Sequence, residues 1–170
     1  DNAAIIITNP PFSLFREFLA WIMAGKKQFA IIGNKNAITY KEVFPLIKEN
    51  KIWIGHSITS GDREFRVPKD YDTHSPSLRF DEEGNKYIRV PGVHWFTNIE
   101  HGYRHQPLQL MTMADNLKFN KKLKGLQEYQ HYDNYDAIEV PFSDAIPSDY
   151  EGIMGVPITF LDKYNPEQFE

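Results

Sequence analysis

The stretch from residue 3 to residue 33 reads AAIIITNPPFSLFREFLAWIMAGKKQFAIIG and has the pattern of strand, helix and strand. Ala3–Thr8 is a short apolar run of the kind that forms a buried parallel strand, and the prolines that follow cannot continue a ladder. Apolar residues recur at helical spacing between Ser13, a candidate N-cap, and Gly25, a candidate helix end. Phe29–Gly33 is a second apolar strand, so the stretch predicts a parallel β-α-β unit.

Further along the chain, the same alternation continues for about twenty residues. Residues 41–50 predict a helix with Pro45 in its first turns, where proline is best tolerated, and Ile52–Gly55 predicts a third strand. Strands that alternate with helices indicate an α/β sheet. The sequence therefore predicts an α/β fold at residues 1–55.

The pattern changes after residue 55. Residues 56–77 are polar, residues 78–90 predict a hairpin around the turn Asp81–Asn85, and Val93–Thr97 predicts another strand. Ala137–Val140 predicts a late strand. We expect one domain with three parts: the α/β part at 1–55, a β-rich and loop-rich middle region at 56–135, and a C-terminal extension at 136–170.

Composition excludes several classes of protein. The chain has 170 residues, 41% of them hydrophobic and 25% charged, which is typical of a globular domain. It has no cysteine, so it forms no disulfide, thiolate metal site or cysteine-linked intermediate. No apolar run approaches the roughly 20 residues of a membrane span. We expect a cytoplasmic protein without a membrane partner, and the scattered histidines do not predict a metal site.

Asn9-Pro10-Pro11-Phe12 follows the first predicted strand, at the edge of a parallel sheet where ligands gather. Asn9 and Pro10 offer two carbonyl acceptors that the prolines hold rigidly, and Phe12 offers a flat apolar face. Two acceptors and a stacking face suit the exocyclic amine of a planar base such as adenine, flipped out of its duplex. The alternatives are an ordinary Asn-Pro-Pro turn, in which Phe12 only packs against the helix, and an amine of cytosine, RNA or protein glutamine.

The four residues Asn9-Pro10-Pro11-Phe12 resemble the catalytic motif of amino-methyltransferases. Residues 31–45, 92–98 and 155–165 are also similar to segments of the EcoRI-type adenine-specific methyltransferases. The resemblance implies a Rossmann-like methyltransferase sheet, S-adenosylmethionine as methyl donor, double-stranded DNA with a flipped adenine as partner, and a role in bacterial restriction-modification or as an orphan enzyme.

The resemblance has one departure. The family's glycine-containing cofactor motif normally precedes Asn-Pro-Pro-Phe, and only eight residues precede Asn9 here. We therefore expect a fragment whose S-adenosylmethionine site lies mostly upstream and which is inactive in isolation. A non-catalytic module that binds DNA or a protein stays open as an alternative.

Other candidate site residues are polar or basic. The loop after the second predicted strand should share the sheet edge with Asn9, and we predict that it contacts the substrate through Asn34, Lys35, Asn36, Thr39 and Tyr40. The polar region and the hairpin carry basic side chains that could contact DNA phosphates or guanine. These predicted DNA contacts are Arg63, Arg66, Arg79 and Arg89. With a net charge of −4, a basic patch covering the whole domain is not expected.

Overall fold

The computed structural model describes residues 3–56 and 63–170, so residues 57–62 of the predicted polar stretch lie outside the described part. The chain divides into two compact units, Asp1–His101 and Gly102–Glu170. The strands are β1 Ile5–Thr8, β2 Gln28–Asn34, β3 Trp53–Ile54, β4 Arg63–Val67, β5 Leu78–Phe80, β6 Lys86–Val90, β7 Val93–Thr97, β8 Ala137–Glu139 and β9 Ile153–Gly155. The α-helices are α1 Phe15–Ala24, α2 Phe44–Lys48 and α3 Met113–Phe119.

The largest sheet lies in the first unit and has the order β1-β2-β7-β3. β1 pairs with β2 in parallel, which confirms the predicted β-α-β unit. β7 runs antiparallel to both β2 and β3, so β3 has the same direction as β1 and β2. The sequence predicted the strand at 93–97, but not its insertion between β2 and β3, because that pairing joins residues far apart in the chain. The fold is mixed α/β, as predicted.

Helix α1 covers one face of this sheet. Its side chains Phe15, Leu19 and Ile22 are buried. The ring of Phe15 lies against Gly33 of β2, where an added Cβ would fall 2.4 Å from a ring carbon. It also packs against Phe96 of β7, with ring centroids 4.9 Å apart. The absence of a side chain at Gly33 therefore fixes how closely α1 approaches the sheet.

The start of α1 differs from the prediction. Ser13 does not cap the helix, because it lies within a short 3-10 helix, Phe12–Leu14, and Leu14 occupies the N-cap position. The Leu14 amide donates to the Pro11 carbonyl at 2.9 Å, so this tight turn uses the backbone in place of a serine hydroxyl. Gly25 does end the helix, and the left-handed conformation follows at Lys26, with φ of 50°.

Strand β1 is less buried than its apolar sequence predicted. It is one of the two edge strands of this sheet in the described part of the chain, and its side chains alternate between two faces. Ile6 and Thr8 are half-buried, whereas Ile5 and Ile7 on the other face are 47% and 70% exposed. The prediction of a buried strand was wrong for that face.

Helix α2 is also shorter than predicted. The predicted helix at 41–50 contains α2 only from Phe44 to Lys48, and a turn occupies residues 41–43. Pro45 lies in its first turn, as predicted. The Tyr40 carbonyl accepts from the amides of both Val43 and Phe44, so the backbone first closes a turn and then enters the helix.

A second sheet has the order β4-β6-β5. The pairing of Leu78 with Ile88 and of Phe80 with Lys86 confirms the predicted hairpin. Its turn is closed by Asp81, whose carboxylate accepts from the amides of Glu83 and Asn85, and Gly84 takes a φ of 75°. Strand β4 was not predicted.

The second unit is built around a buried apolar cluster that includes Leu123, Tyr129, Ile138, Ile146 and Phe160. The late strand predicted at 137–140 is present as β8, which pairs in parallel with β9. None of the helices in the described ranges is long and apolar enough to cross a membrane. Within those same ranges, no three His, Asp or Glu side chains are grouped so that they could hold a metal ion.

Candidate amine-binding site and hairpin surface

Asn9 lies directly after the last residue of β1. Thr8 pairs with Ile31, so β1 ends three residues before its neighbour β2 does. The Asn9 side chain is exposed and makes no hydrogen bond within the described part of the chain, whereas Pro10 is buried. A buried proline next to an exposed amide holds the backbone while leaving the amide oxygen accessible as an acceptor.

The next residues turn the chain into α1. Pro11 has φ of −54° and ψ of 131°, and its carbonyl is used by the Leu14 amide. Phe12 begins the 3-10 helix and is half-buried, so part of its ring is accessible. The loop therefore presents the Asn9 side chain and the Phe12 ring, both anchored by a 3-10 turn and by the packing of Phe15 just beyond it.

The predicted substrate loop after β2 lies at the same edge of the sheet, because β1 and β2 are parallel. Asn34 accepts from the Asn36 amide at 2.9 Å, and the Thr39 hydroxyl donates to the Asn36 carbonyl at 2.8 Å. These bonds stabilise a 3-10 helix, Lys35–Thr39. In this arrangement Asn34 and Thr39 act as structural caps. Asn36 and Thr39 are exposed, whereas Asn34 and Lys35 are half-buried.

Tyr40 connects the two loops. The Arg16 guanidinium of α1 lies over the Tyr40 ring, 5.6 Å from its centroid. Since α1 begins just after Phe12, this contact holds the end of the Lys35–Thr39 helix next to the Asn9–Phe12 loop. The structure therefore brings the two predicted groups of substrate residues to one region of the sheet edge.

The predicted DNA contacts lie on the sheet β4-β6-β5, but not all on one face. Side chains alternate along a strand, so Arg66, Arg79 and Arg89 share a face with Glu64 and Tyr87, whereas Arg63 belongs to the opposite face. We call the face that carries Glu64, Arg66, Arg79, Tyr87 and Arg89 the arginine face.

Arg79 and Arg66 of this face contact other side chains of the protein. Arg79 donates from Nε and Nη2 to the two carboxylate oxygens of Glu64, at 3.1 and 2.8 Å, and its guanidinium lies 4.9 Å from the centroid of the Tyr87 ring. Arg66 donates to the Asn85 side-chain oxygen at 2.6 Å. The bond from Arg79 lowers the pKa of the Glu64 carboxyl, and Glu64 raises the pKa of Arg79. Both side chains therefore stay charged through the neutral range.

A family model for the adenine-specific methyltransferase EcoRI matches residues 1–170. The chain belongs to this family. It is 49% identical over 166 residues to the Type II methyltransferase M.EcoRI of Escherichia coli. It is 38% identical over 169 residues to M.MpnI of Mycoplasma pneumoniae, and 39% identical over 171 residues to M.MgeORF184P of Mycoplasma genitalium.

These alignments cover 98%, 98% and 99% of the chain and 48%, 50% and 51% of the respective relatives. The chain therefore spans about half the length of the curated relatives it matches. No solved structure matches it.

Sequence reasoning on this EcoRI-type chain missed Glu64 and Tyr87, the partners of Arg79. Strand β4 reads Arg-Glu-Phe-Arg-Val, in which only Phe65 and Val67 are apolar. The signal was their spacing of two residues, which is typical of a strand with one polar face. The pairing of Arg79 with Glu64 could not be predicted from local sequence, since the two residues lie on the outer strands of the sheet with β6 between them.

Proposed function

We propose that this chain forms the target-base part of a DNA adenine-N6 methyltransferase that uses S-adenosylmethionine. The observation that carries the proposal is the Asn9 side chain, exposed and without a hydrogen bond in the described part of the chain, directly beside a buried proline at the end of β1. The family is adenine-specific, which favours adenine over the amines of cytosine, RNA and protein glutamine.

In this proposal the chain's own residues orient the base. The Asn9 side-chain oxygen and the Pro10 carbonyl accept the two hydrogens of the adenine amine, and Phe12 stacks on the ring. Accepting both hydrogens keeps the nitrogen lone pair directed away from them, towards the incoming methyl group. Duplex DNA buries the adenine, so the base must flip out at a cost of a few kcal/mol.

S-adenosylmethionine, when bound, supplies an electrophilic methyl group on a sulfonium. Asn9 and Pro10 would hold the amine nitrogen in position to accept that methyl group, and Phe12 would hold the plane of the base. The loop after β1 contains no glycine and enters Pro10-Pro11 at once, so it does not fit a cofactor loop. We place most of the cofactor site outside the described residues, and chain 1–170 alone should bind the cofactor poorly.

The remaining parts of the proposal concern the wider molecule. We place Asn36, Lys35 and Tyr40 beside the flipped base, with Asn34 and Thr39 shaping their loop. We propose that Arg63, Arg66, Arg79 and Arg89 contact duplex DNA. The parallel strands β1, β2 and β3 with the inserted antiparallel β7 support a Rossmann-like methyltransferase sheet. Methylation of genomic DNA would take place in the bacterial cytoplasm as part of restriction-modification or as an orphan activity.

The test is methyl transfer by the whole gene product onto duplex DNA, with the methylated nucleoside identified after digestion. Wild type should form N6-methyladenine. Asn9→Ala should lose activity by about a hundredfold or more, as expected when one preorganised polar contact to the reacting group is removed. Asn9→Asp keeps an acceptor oxygen and should retain more of the rate than Asn9→Ala.

Asn134→Ala is the matched control, because Asn134 is an exposed asparagine in the second unit. It should have the wild-type rate. Retained adenine methylation in Asn9→Ala would contradict the assigned role, and methylated cytosine as the product would contradict the substrate. DNA binding without methylation by the wild-type gene product would favour the non-catalytic module.

A further inference from the structure

The arginine face offers hydrogen-bond donors in a fixed geometry. Arg79 crosses the middle strand β6 to reach Glu64 on β4, and it lies over the Tyr87 ring on the way. A guanidinium carries five N–H groups in one plane. Here Glu64 takes the edge formed by Nε and Nη2, which sets the plane and direction of the remaining edge.

The remaining edge consists of Nη1 and the second hydrogen of Nη2. These donors form a fork that matches two acceptors side by side. The Arg79 side chain is 51% exposed, so the fork is accessible. Because its rotamer is already fixed by an ion pair and a ring, ordering it on binding costs less entropy than ordering a mobile arginine.

The charge around Arg79 distinguishes between two possible DNA ligands for this fork, a phosphate group and a guanine base. A phosphate contact depends mainly on net positive charge, and the Glu64 carboxylate offsets that of Arg79. A guanine contact depends on the pattern of two donors facing O6 and N7, which the ion pair leaves intact. An arginine that is held in one orientation, and whose positive charge is offset by a neighbouring carboxylate, is therefore better suited to guanine than to phosphate.

We propose that Arg79, held by Glu64 over the Tyr87 ring, reads a guanine in the major groove of the DNA substrate. The arrangement makes Arg79 a specificity residue and Glu64 a positioning residue that acts through it. This inference rests on the proposed function, since it assumes a duplex DNA substrate. It goes beyond that function by assigning one arginine to a base and one carboxylate to its orientation.

The experiment uses the whole gene product and duplexes that contain its own methylation site, mapped first with the wild-type protein. Binding is measured for the cognate duplex, for duplexes with single base-pair changes, and for duplexes in which each guanine in turn is replaced by 7-deazaguanine. The last probe removes only the N7 acceptor. At one guanine, wild type should lose about tenfold or more in affinity with 7-deazaguanine.

Arg79→Lys keeps the charge and removes the fork. It should bind the cognate duplex about tenfold or more weakly than wild type does, and it should lose nothing further when 7-deazaguanine replaces that one guanine. Glu64→Gln should retain affinity for DNA of unrelated sequence and lose part of the discrimination at the same base pair. Glu49→Gln is its matched control, since Glu49 forms an exposed ion pair with Lys51 elsewhere in the same unit, and it should match wild type throughout.

Three results would overturn the inference. Equal weakening of all duplexes by Arg79→Lys, or a shallower salt dependence in Arg79→Ala, would assign Arg79 to a phosphate. If both Arg79→Lys and Arg79→Ala bound DNA and discriminated between duplexes as wild type does, the ion pair between Arg79 and Glu64 would only link the two outer strands and would have no role in DNA binding. Circular dichroism and thermal unfolding of each variant show whether it is folded. If the Arg79 variants are misfolded, Glu64→Gln tests the inference with a smaller change to the structure. Failure of wild type to bind DNA would refute the proposed function itself, which separates the two.

Discussion

The two units of the chain are built in different ways. In Asp1–His101 the sheet contains β2, a strand of seven residues, and apolar side chains from α1 pack directly onto it. In Gly102–Glu170 the paired strands β8 and β9 have three residues each. The second unit also uses polar side chains that bind distant backbone groups, such as Gln168, which bonds both the amide and the carbonyl of Leu108.

We expect the two units to differ in function. Every residue that we propose to contact base or DNA lies at or before Arg89, in the first unit. Changes to the proposed site residues of the first unit, or to the side chains that position them, should therefore alter activity or specificity. Changes to buried or ion-paired side chains of the second unit should alter stability while leaving the rate constants and the sequence preference as they are. The following variants test that division.

Gly33→Ala should have the largest effect. The added Cβ would fall 2.4 Å from a ring carbon of Phe15. That ring is buried and packs against Phe96, so it cannot move away without displacing other core side chains. We expect a loss of about 3 kcal/mol in the free energy of unfolding, at the upper end for overpacking. Because Phe15 lies three residues after Phe12 and anchors the 3-10 turn of the Asn9–Phe12 loop, methyl transfer should fall as well.

Denaturant unfolding and single-turnover methylation of the whole gene product measure both effects. Gly102→Ala is the control, since nothing lies within 4 Å of a Cβ added there and its φ is not positive. Wild-type stability in Gly33→Ala would show that α1 does not depend on the contact between Phe15 and Gly33.

Phe12→Ala tests the stacking face of the amine site. Loss of one aromatic contact with a base costs about 1–3 kcal/mol, so the rate at subsaturating DNA should fall by roughly tenfold or more. Phe12→Tyr keeps the ring and should retain most of the rate. Leu14→Ala removes an exposed apolar side chain from the same 3-10 helix and serves as the control. Equal losses in Phe12→Ala and Leu14→Ala would indicate damage to the turn and would not support stacking.

Tyr129→Phe tests the second unit. The buried Tyr129 hydroxyl donates to the Ala145 carbonyl at 2.6 Å, and burial raises the pKa of this tyrosine. Without the hydroxyl, the buried carbonyl lacks its donor, and we expect a loss of about 1–2 kcal/mol in the free energy of unfolding. Tyr135→Phe, at an exposed tyrosine, should be neutral. A change in DNA sequence preference in Tyr129→Phe would show that the second unit affects more than stability.

The sequence predicted the elements whose signals are local, and it did not predict pairings between residues that are far apart in the chain. The strands at 29–33 and 93–97 and the hairpin at 78–90 were predicted because their signals are local: apolar runs and a turn with Asp81 and Gly84. The insertion of β7 between β2 and β3 was missed because it depends on pairing across about sixty residues. Helix α3 was missed because Asn116 and Lys118 interrupt its apolar pattern.

The candidate site divides in the same manner. Asn9–Phe12 could be found because the motif is contiguous and follows a strand. Its partners could not, since the contact of Arg16 with Tyr40 and that of Phe15 with Gly33 appear only when α1 lies on the sheet. The prediction that four arginines share one role did not anticipate that Arg63 lies on the face opposite Arg79, because strand β4 itself was not predicted.

The ion pair between Lys122 and Asp144 should give the smallest effect in this comparison. Lys122 donates to the Asp144 carboxylate at 2.8 Å, and this bond lowers the pKa of Asp144 below its ordinary value of 3.8. A lowered pKa means that the stabilisation is present above pH 3.8 and is lost as the pH falls through the folded-state pKa. Both side chains are about half exposed, so we expect Asp144→Asn to cost only about 0.2–1 kcal/mol at pH 7.

Denaturant unfolding of wild type and Asp144→Asn from pH 7 to pH 3 measures this difference, which should shrink towards the acid end. Lys121→Ala removes a neighbouring exposed lysine and should unfold as wild type does at every pH. A difference that grows on acidification would contradict the lowered pKa, because protonation of Asp144 removes the charge that Lys122 contacts and can only reduce the advantage of wild type. If the methylation rate also followed this titration, the second unit would contribute to the site, and the separation between a catalytic sheet and a stabilising second unit would have to be abandoned.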